Sequence, residues 1–183
     1  MPSSDTSRAA LSETLAYARE VSVDVYRFRP FDRADLTTAE RWLQTPEVVR
    51  WWGDPAHELT LLTEDLVQPL MDQWIVEFDG MPFAYAQAYC VHSWPQKHLE
   101  HLPADARAID ALIGVPEMLS KGHGGRFLRQ LAMMLVEQGA PLVAIDPDAD
   151  NLRARRAYAR AGFKAEAILR AADGPVALMI FRP

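Results

Sequence analysis

Apolar positions change their period several times along the chain, and each change marks an element. From Val23 to Phe28 the letters VDVYRF alternate, the period-two pattern of a half-buried strand, and Pro30 ends the run. Leu36, Ala39, Trp42 and Leu43 then recur at helical spacing behind Asp35, a residue suited to cap them, as far as Thr45-Pro46. RWWGDP reads as a loop, and Leu59 to Met71 as a second helix opening near Thr60 or Thr63. WIVEF at 74–78 and PFAYAQAYCV at 82–91 flank Asp79-Gly80, a dipeptide that accepts the positive φ of a tight turn, so they predict a hairpin. ARAIDALIGV, residues 106–115, is a fourth strand closed by Pro116. The turn SKGHGG leads into the amphipathic run RFLRQLAMMLVEQG, which ends at Gly139. PLVAID is a fifth strand, and a helix from about Asp150 to Ala161 starts at Asp150 or Asn151 and stops at Gly162. Residues 163–169 and 176–181, joined by Asp173-Gly174-Pro175, close the chain as a hairpin. The order β α α β β β α β α β β predicts an α/β (α+β) fold, a mixed central sheet of about seven strands with helices on both faces. Residues 1–22, where Leu11, Leu15, Ala18 and Val21 keep helical spacing, form an N-terminal extension to a single domain over 23–183.

Composition narrows the class. Hydrophobic residues at 49% and charged residues at 24% are a globular balance, and the formal net charge of −6 disfavours a nucleic-acid backbone while suiting a cationic small molecule. The one cysteine, Cys90, has no partner for an internal bridge and reads as a buried thiol. Residues 1–22 lack the apolar stretch of a signal peptide, and no run approaches the ~18 residues of a membrane helix. The expectation is a cytoplasmic protein without a membrane partner, monomeric or homodimeric.

The chemistry concentrates in Lys121-Gly-His-Gly-Gly-Arg126. A glycine-rich turn after a strand and before a helix is an anion site: first-turn N–H groups point at the ligand, glycines admit its close approach, and the helix dipole favours negative charge. A dinucleotide fingerprint is excluded, because its third glycine position holds Phe127, and Lys121 precedes the glycines where a phosphate-binding loop would end on its lysine. His98 and His101 with Glu100 supply no clear third metal ligand, so no metal is expected. No Gly-x-Ser-x-Gly is present, and Cys90 sits in a strand interior without an obvious base.

The strand IDALIGV, the turn SKGHGG with its helix, and IDPDADNLRARRAYARAGF together resemble the acetyl-CoA signature of the GCN5-related N-acetyltransferases. The family turn R/Q-x-x-G-x-G/A is matched by Leu119, Gly122 and Gly124 without its leading Arg or Gln, and the block N-x-x-A-x-x-A-Y-x-x-A-G-F at 151–163 is the more specific match. The resemblance covers about residues 23–183. It implies that the strand backbone around Leu112, Ile113 and Val115 holds the pantetheine arm and that Gly122, His123, Gly124, Gly125 and Arg126 wrap the pyrophosphate. It further implies that Asn151 reaches the pantetheine and that Tyr158, about two turns on at 3.6 residues per turn, gives a proton to the departing thiolate.

RWWGD, YAQAY, RAID, the IDP before the helix and DGPV look more narrowly like the aminoglycoside 6'-N-acetyltransferases. That likeness implies an acetyl-CoA-dependent enzyme acting on a primary amine of a small polycation, with Trp51, Trp52, Gln87, Asp110, Asp146 and Asp173 lining the acceptor site. The chemistry is coherent, since an aminosugar needs carboxylates around it and flat apolar faces to stack on. Asp110 is the candidate base, because an ammonium must lose a proton before it attacks a thioester. ALIG and ALMIF also resemble siderophore or hydroxylysine N-acyltransferases, and a non-catalytic CoA-binding module is the reading from a different class.

Overall fold

The computed structural model describes residues 26–94 and 96–183. The N-terminal extension with its expected helix, and the expected strand residues Val23 to Val25, lie outside them.

Seven strands form one sheet in the order β1-β2-β3-β4-β5-β7-β6. They are β1 (Arg27–Pro30), β2 (Met71–Phe78), β3 (Met81–Cys90), β4 (Arg107–Ile113), β5 (Val143–Ile145), β6 (Lys164–Ala171) and β7 (Gly174–Phe181). Every neighbouring pair is antiparallel except β4 and β5. Pro30 is tolerated inside β1 because β1 is an edge, where a missing N–H breaks no ladder. The hairpin between β2 and β3 turns on Asp79 and Gly80, both at positive φ, as the Asp-Gly pair requires.

Among the described residues, five α-helices flank the sheet: α1 (Leu36–Leu43), α2 (Pro46–Trp52), α3 (Pro55–Asp65), α4 (His123–Glu137) and α5 (Leu152–Ala161). The expected pair after β1 is thus a trio. Thr45-Pro46 both ends α1 and opens α2, since proline fits the first helical position, where no N–H is needed. Trp51 and Trp52 consequently sit in the last turn of α2 and not in a loop. α3 begins at Asp54-Pro55, with the Asp54 carboxylate accepting the His57 N–H at 2.9 Å. Thr60 and Thr63, the expected starts, instead bond back to the Ala56 and Leu59 carbonyls. Asp35 does not cap α1 through its side chain; it makes a two-pronged ion pair with Arg29, both contacts at 2.8 Å. Cys90 is half-buried, with its thiol on the Ala104 carbonyl.

Side-chain alternation along β4 divides the interior. Ile109 points into a cluster with Phe83, Phe127, Leu131, Val143 and Phe163 beneath α4. Leu112 points the other way, with Trp42, Leu43, Leu62, Ile75 and Tyr85 beneath α1–α3. Between β3 and β4, Leu99 and Leu102 are buried against Tyr89, Leu142 and Leu178. Among the described residues, no helix is long and apolar enough to cross a membrane.

The feature that makes a site is the parallel junction. β4 and β5 pair only at Arg107 with Val143 and Ala108 with Ala144. From Ile109 onward β4 has a strand neighbour on the β3 side alone, and the sheet opens into a wedge.

Candidate active site

The wedge widens into a cleft of about 610 Å³. One wall is main chain. Ile109 to Ile113 run along it with a strand edge that β5 has left. At its end Gly122, in the left-handed region at φ +85°, turns the chain into α4, so the helix starts at His123 and takes Gly124 and Gly125 into its first turn. First-turn N–H groups have no partner within a helix, and the dipole of this 15-residue helix adds positive potential there. Gly122, Gly124 and Gly125 all line the cleft, as do Leu112 and Ile113. The donor set fits a diphosphate with an extended amide-bearing arm: the Gly124 and Gly125 amides in the first helical turn, and a strand edge leading away from them.

Three of the remaining residues expected on this wall, His123, Arg126 and Val115, are placed differently. The His123 ring turns into the core, where Nδ1 lies 2.8 Å from the Tyr26 hydroxyl and the ring packs 4.7 Å from Phe78. Arg126 does not line the cleft; its guanidinium folds over the Lys121 and Gly122 carbonyls. Val115 also lies off it, with its N–H donated to Phe83 and its carbonyl accepting from Met118. Asn151 lines the cleft while its side chain caps α5, accepting the Ala154 N–H at 3.1 Å. Tyr158 faces the cleft on the same side of α5, and its hydroxyl has no hydrogen-bond partner among the described residues. Burial, and then the charges of Asp110 and Asp146, push its phenol above the ordinary range, which keeps it protonated.

The other wall is side chains. Glu47, Glu58, Asp110, Asp146, Asp148 and Asp173 line it, with Trp51, Trp52 and Gln87. The structure thus gathers all of the expected acceptor residues into one cavity. Trp52 packs edge-on to Tyr85 at 6.2 Å, whereas Trp51 donates its indole N–H to Glu47 at 3.0 Å and carries Arg50 over its ring. Asp146 leaves the end of β5 and meets the buried ring of His98 at 2.6 Å. Among the described residues no cluster is arranged to hold a metal ion.

Asp110 stands where the two walls meet, and Gln87 Nε2 donates to its Oδ2 at 3.0 Å. Its carboxyl is pushed up to about 7, chiefly because protein walls take the charge out of water, then because the Asp146 charge is close; the Gln87 hydrogen bond pulls the other way. A carboxylate poised near neutrality is suited to accept a proton from an amine. Glu58 is likewise raised, first by burial and then by acidic neighbours that include Asp173.

Glu47, Glu58, Asp148, Gln96, Arg153 and Arg160 line the cleft without having been expected there. Their signal is tertiary: Arg153 of α5 pairs with Glu47 of α2 across the mouth, a contact between residues more than a hundred positions apart.

A family model described as an acetyltransferase (GNAT) domain matches residues 31–170. The aminoglycoside N(6')-acetyltransferase type 1 of Klebsiella pneumoniae is 30% identical over 171 residues, covering 87% of this chain and 84% of that protein. The crystal structure of the aminoglycoside acetyltransferase AAC(6')-Ib with coenzyme A and kanamycin superposes with a TM-score of 0.77 at 28% identity, covering 86% of this chain and 95% of that one. The same enzyme with ribostamycin and coenzyme A also gives 0.77, at 28% identity over 87% and 94%. With the splayed sheet, the helix-start glycines and a matching model over most of its length, the chain belongs to the GNAT acetyltransferase family and is an N-acetyltransferase.

Proposed function

We propose that the chain transfers the acetyl group of acetyl-CoA to a primary amine of a polycationic aminosugar, of the aminoglycoside 6'-amine kind. The observation that carries this reading is the pairing of walls: main-chain amides on one side, five carboxylates and two indoles on the other, with Asp110 between them. Relatives named or crystallised as aminoglycoside acetyltransferases support the choice of amine.

In this reading the β4 edge and the first turn of α4 hold the cosubstrate, and the carboxylates draw in the ammonium groups of the acceptor. Asp110 takes the proton from the reacting ammonium, directly or through water, and the freed nitrogen attacks the thioester carbon. A β4 N–H steadies the charge that builds on the thioester oxygen, and Tyr158 returns a proton to the departing sulfur. No covalent enzyme intermediate is involved. The cytoplasm, where acetyl-CoA is held, is the compartment this reading requires.

The test is thiol release from acetyl-CoA across a panel of kanamycin-type amines, linear polyamines and N-hydroxylysine. Turnover should be highest with the aminosugars. Preference for N-hydroxylysine would favour a siderophore-type acyltransferase, and no turnover with any amine would favour a CoA-binding module.

A further inference from the structure

A chain of hydrogen bonds runs behind Asp110 through residues that no step above uses. Gln73, Gln87 and Asp110 stand in register on β2, β3 and β4, and Tyr85, two residues before Gln87, shares their face. Gln73 Nε2 donates to the Leu62 carbonyl of α3 at 3.1 Å and to the Tyr85 hydroxyl at 2.7 Å. The Tyr85 hydroxyl donates to Gln87 Oε1 at 2.7 Å, and Gln87 Nε2 donates to Asp110 at 3.0 Å.

The direction of this chain is forced at its far end. A backbone carbonyl only accepts, so the Gln73 atom facing Leu62 is the amide nitrogen. Its second hydrogen falls to Tyr85, whose single O–H must then point at Gln87. Tyr85 is wholly buried between Phe31 and Trp52, and that burial keeps its phenol protonated. Gln87 receives the O–H on its oxygen and is left with N–H toward the carboxylate.

We propose that Gln73 and Tyr85 are positioning residues for acetyl transfer: anchored on the Leu62 carbonyl, they hold the Gln87 amide in the one orientation that presents N–H, and not C=O, to Asp110. The proposal rests on Asp110 being the base. An N–H donor favours the ionised carboxyl, whereas a carbonyl in its place would favour the protonated one. Without the chain the Gln87 amide is free to rotate, and Asp110 should hold its proton to higher pH. The other groups that face Asp110 stay in place: Asp146 with its partner His98, Glu58 and Asp65 of α3, Tyr89, and Tyr158 with Arg153 of α5.

The experiment is the pH profile of kcat/KM for one accepted amine in the parent, Tyr85→Phe, Gln73→Met and Asp110→Asn, with a carboxyl carbon NMR titration of Asp110 as a readout independent of turnover. In Tyr85→Phe the acid limb should move up by about one pH unit, giving roughly a tenfold loss near pH 6 that closes at alkaline pH, and the carboxyl midpoint should rise with it. Gln73→Met, which removes the anchored donor at similar volume, should do the same; it carries the test if Tyr85→Phe folds poorly. A loss equal at all pH values in both variants, or an unmoved carboxyl midpoint, overturns the relay. Parental activity in Asp110→Asn would instead overturn the base assignment, and the relay with it.

Discussion

The wall formed by β4 and the start of α4 and the wall formed by α2, α3 and the loops carrying Asp146 and Asp173 meet at Asp110, but they are made of different material. The first offers main-chain amides, positioned by a strand that has parted from its neighbour and by a glycine at positive φ. The second offers carboxylates and rings from segments scattered between Glu47 and Asp173. A main-chain wall is indifferent to most of its side chains and is lost only when something fills it. A side-chain wall can be edited one charge at a time.

Asp110 belongs to both, and its removal should have the largest effect. Asp110→Asn keeps an acceptor for Gln87 but abolishes proton uptake, and kcat/KM should fall by roughly two or more orders of magnitude. In the parent the same rate should rise with pH through about 7, where the raised carboxyl ionises. Stability runs in the opposite sense. The folded carboxyl binds its proton more tightly than the unfolded one, so between the ordinary carboxyl value and about 7 stability declines as pH rises. Asp110→Asn should therefore melt above the parent at pH 8 and lose that advantage as pH falls toward 4. Thermal melts beside steady-state rates check both halves.

The main-chain wall is probed by two neighbouring glycines that differ in what confines them. A Cβ on Gly125 would stand 2.8 Å from the Ala157 carbonyl, so this glycine lets α4 and α5 approach. A Cβ on Gly124 would meet only Ile113 Cδ1, at an ordinary 3.5 Å. Gly125→Ala should destabilise the fold by about 1–3 kcal/mol through overpacking. Gly124→Ala should leave stability equal or slightly raised, as Gly to Ala does within a helix. Any rise in KM for acetyl-CoA in Gly124→Ala, expected at roughly tenfold, then measures crowding of the ligand alone. Equal KM values in parent and Gly124→Ala would move the pyrophosphate away from this turn.

The same contrast explains what was legible in the sequence. The sheet, its hairpins and the later helices were readable because their signals are local: Asp79-Gly80 for a turn, Gly162 for a stop, alternation for strands. The glycine turn marked the main-chain wall for the same reason, although its helix starts earlier than expected and the ring of His123 faces the core. α2 was missed because Thr45-Pro46 was read only as an end. The acceptor residues were reached through family resemblance, since nothing local to Trp51, Gln87 or Asp173 says that they share a cavity. Glu47, Glu58 and Arg153 escaped altogether, because the contacts that place them on the cleft wall arise only once the chain is folded.

Single charges on the acceptor wall should have the smallest effects, and their salt dependence is the informative part. Burial raises the Glu58 carboxyl first; the His57 charge opposes this, and repulsion from the Asp173 charge adds to it, so a cation held between Glu58 and Asp173 would offset that repulsion. Neutralising one member, as in Asp173→Asn, removes attraction for the acceptor but also removes that repulsion, and the two partly cancel. The expected outcome is a rise of a few-fold in KM for a polycationic amine, of the order of 1 kcal/mol as for other half-exposed ion pairs, with kcat little changed. Added salt should shrink the difference, because counterions screen charges that face water. A monoamine acceptor, with no second ammonium to place near Glu58, should barely distinguish Asp173→Asn from the parent. If both acceptors respond alike and salt does not matter, Asp173 acts through the turn it sits in, and the acidic wall is not what selects the amine.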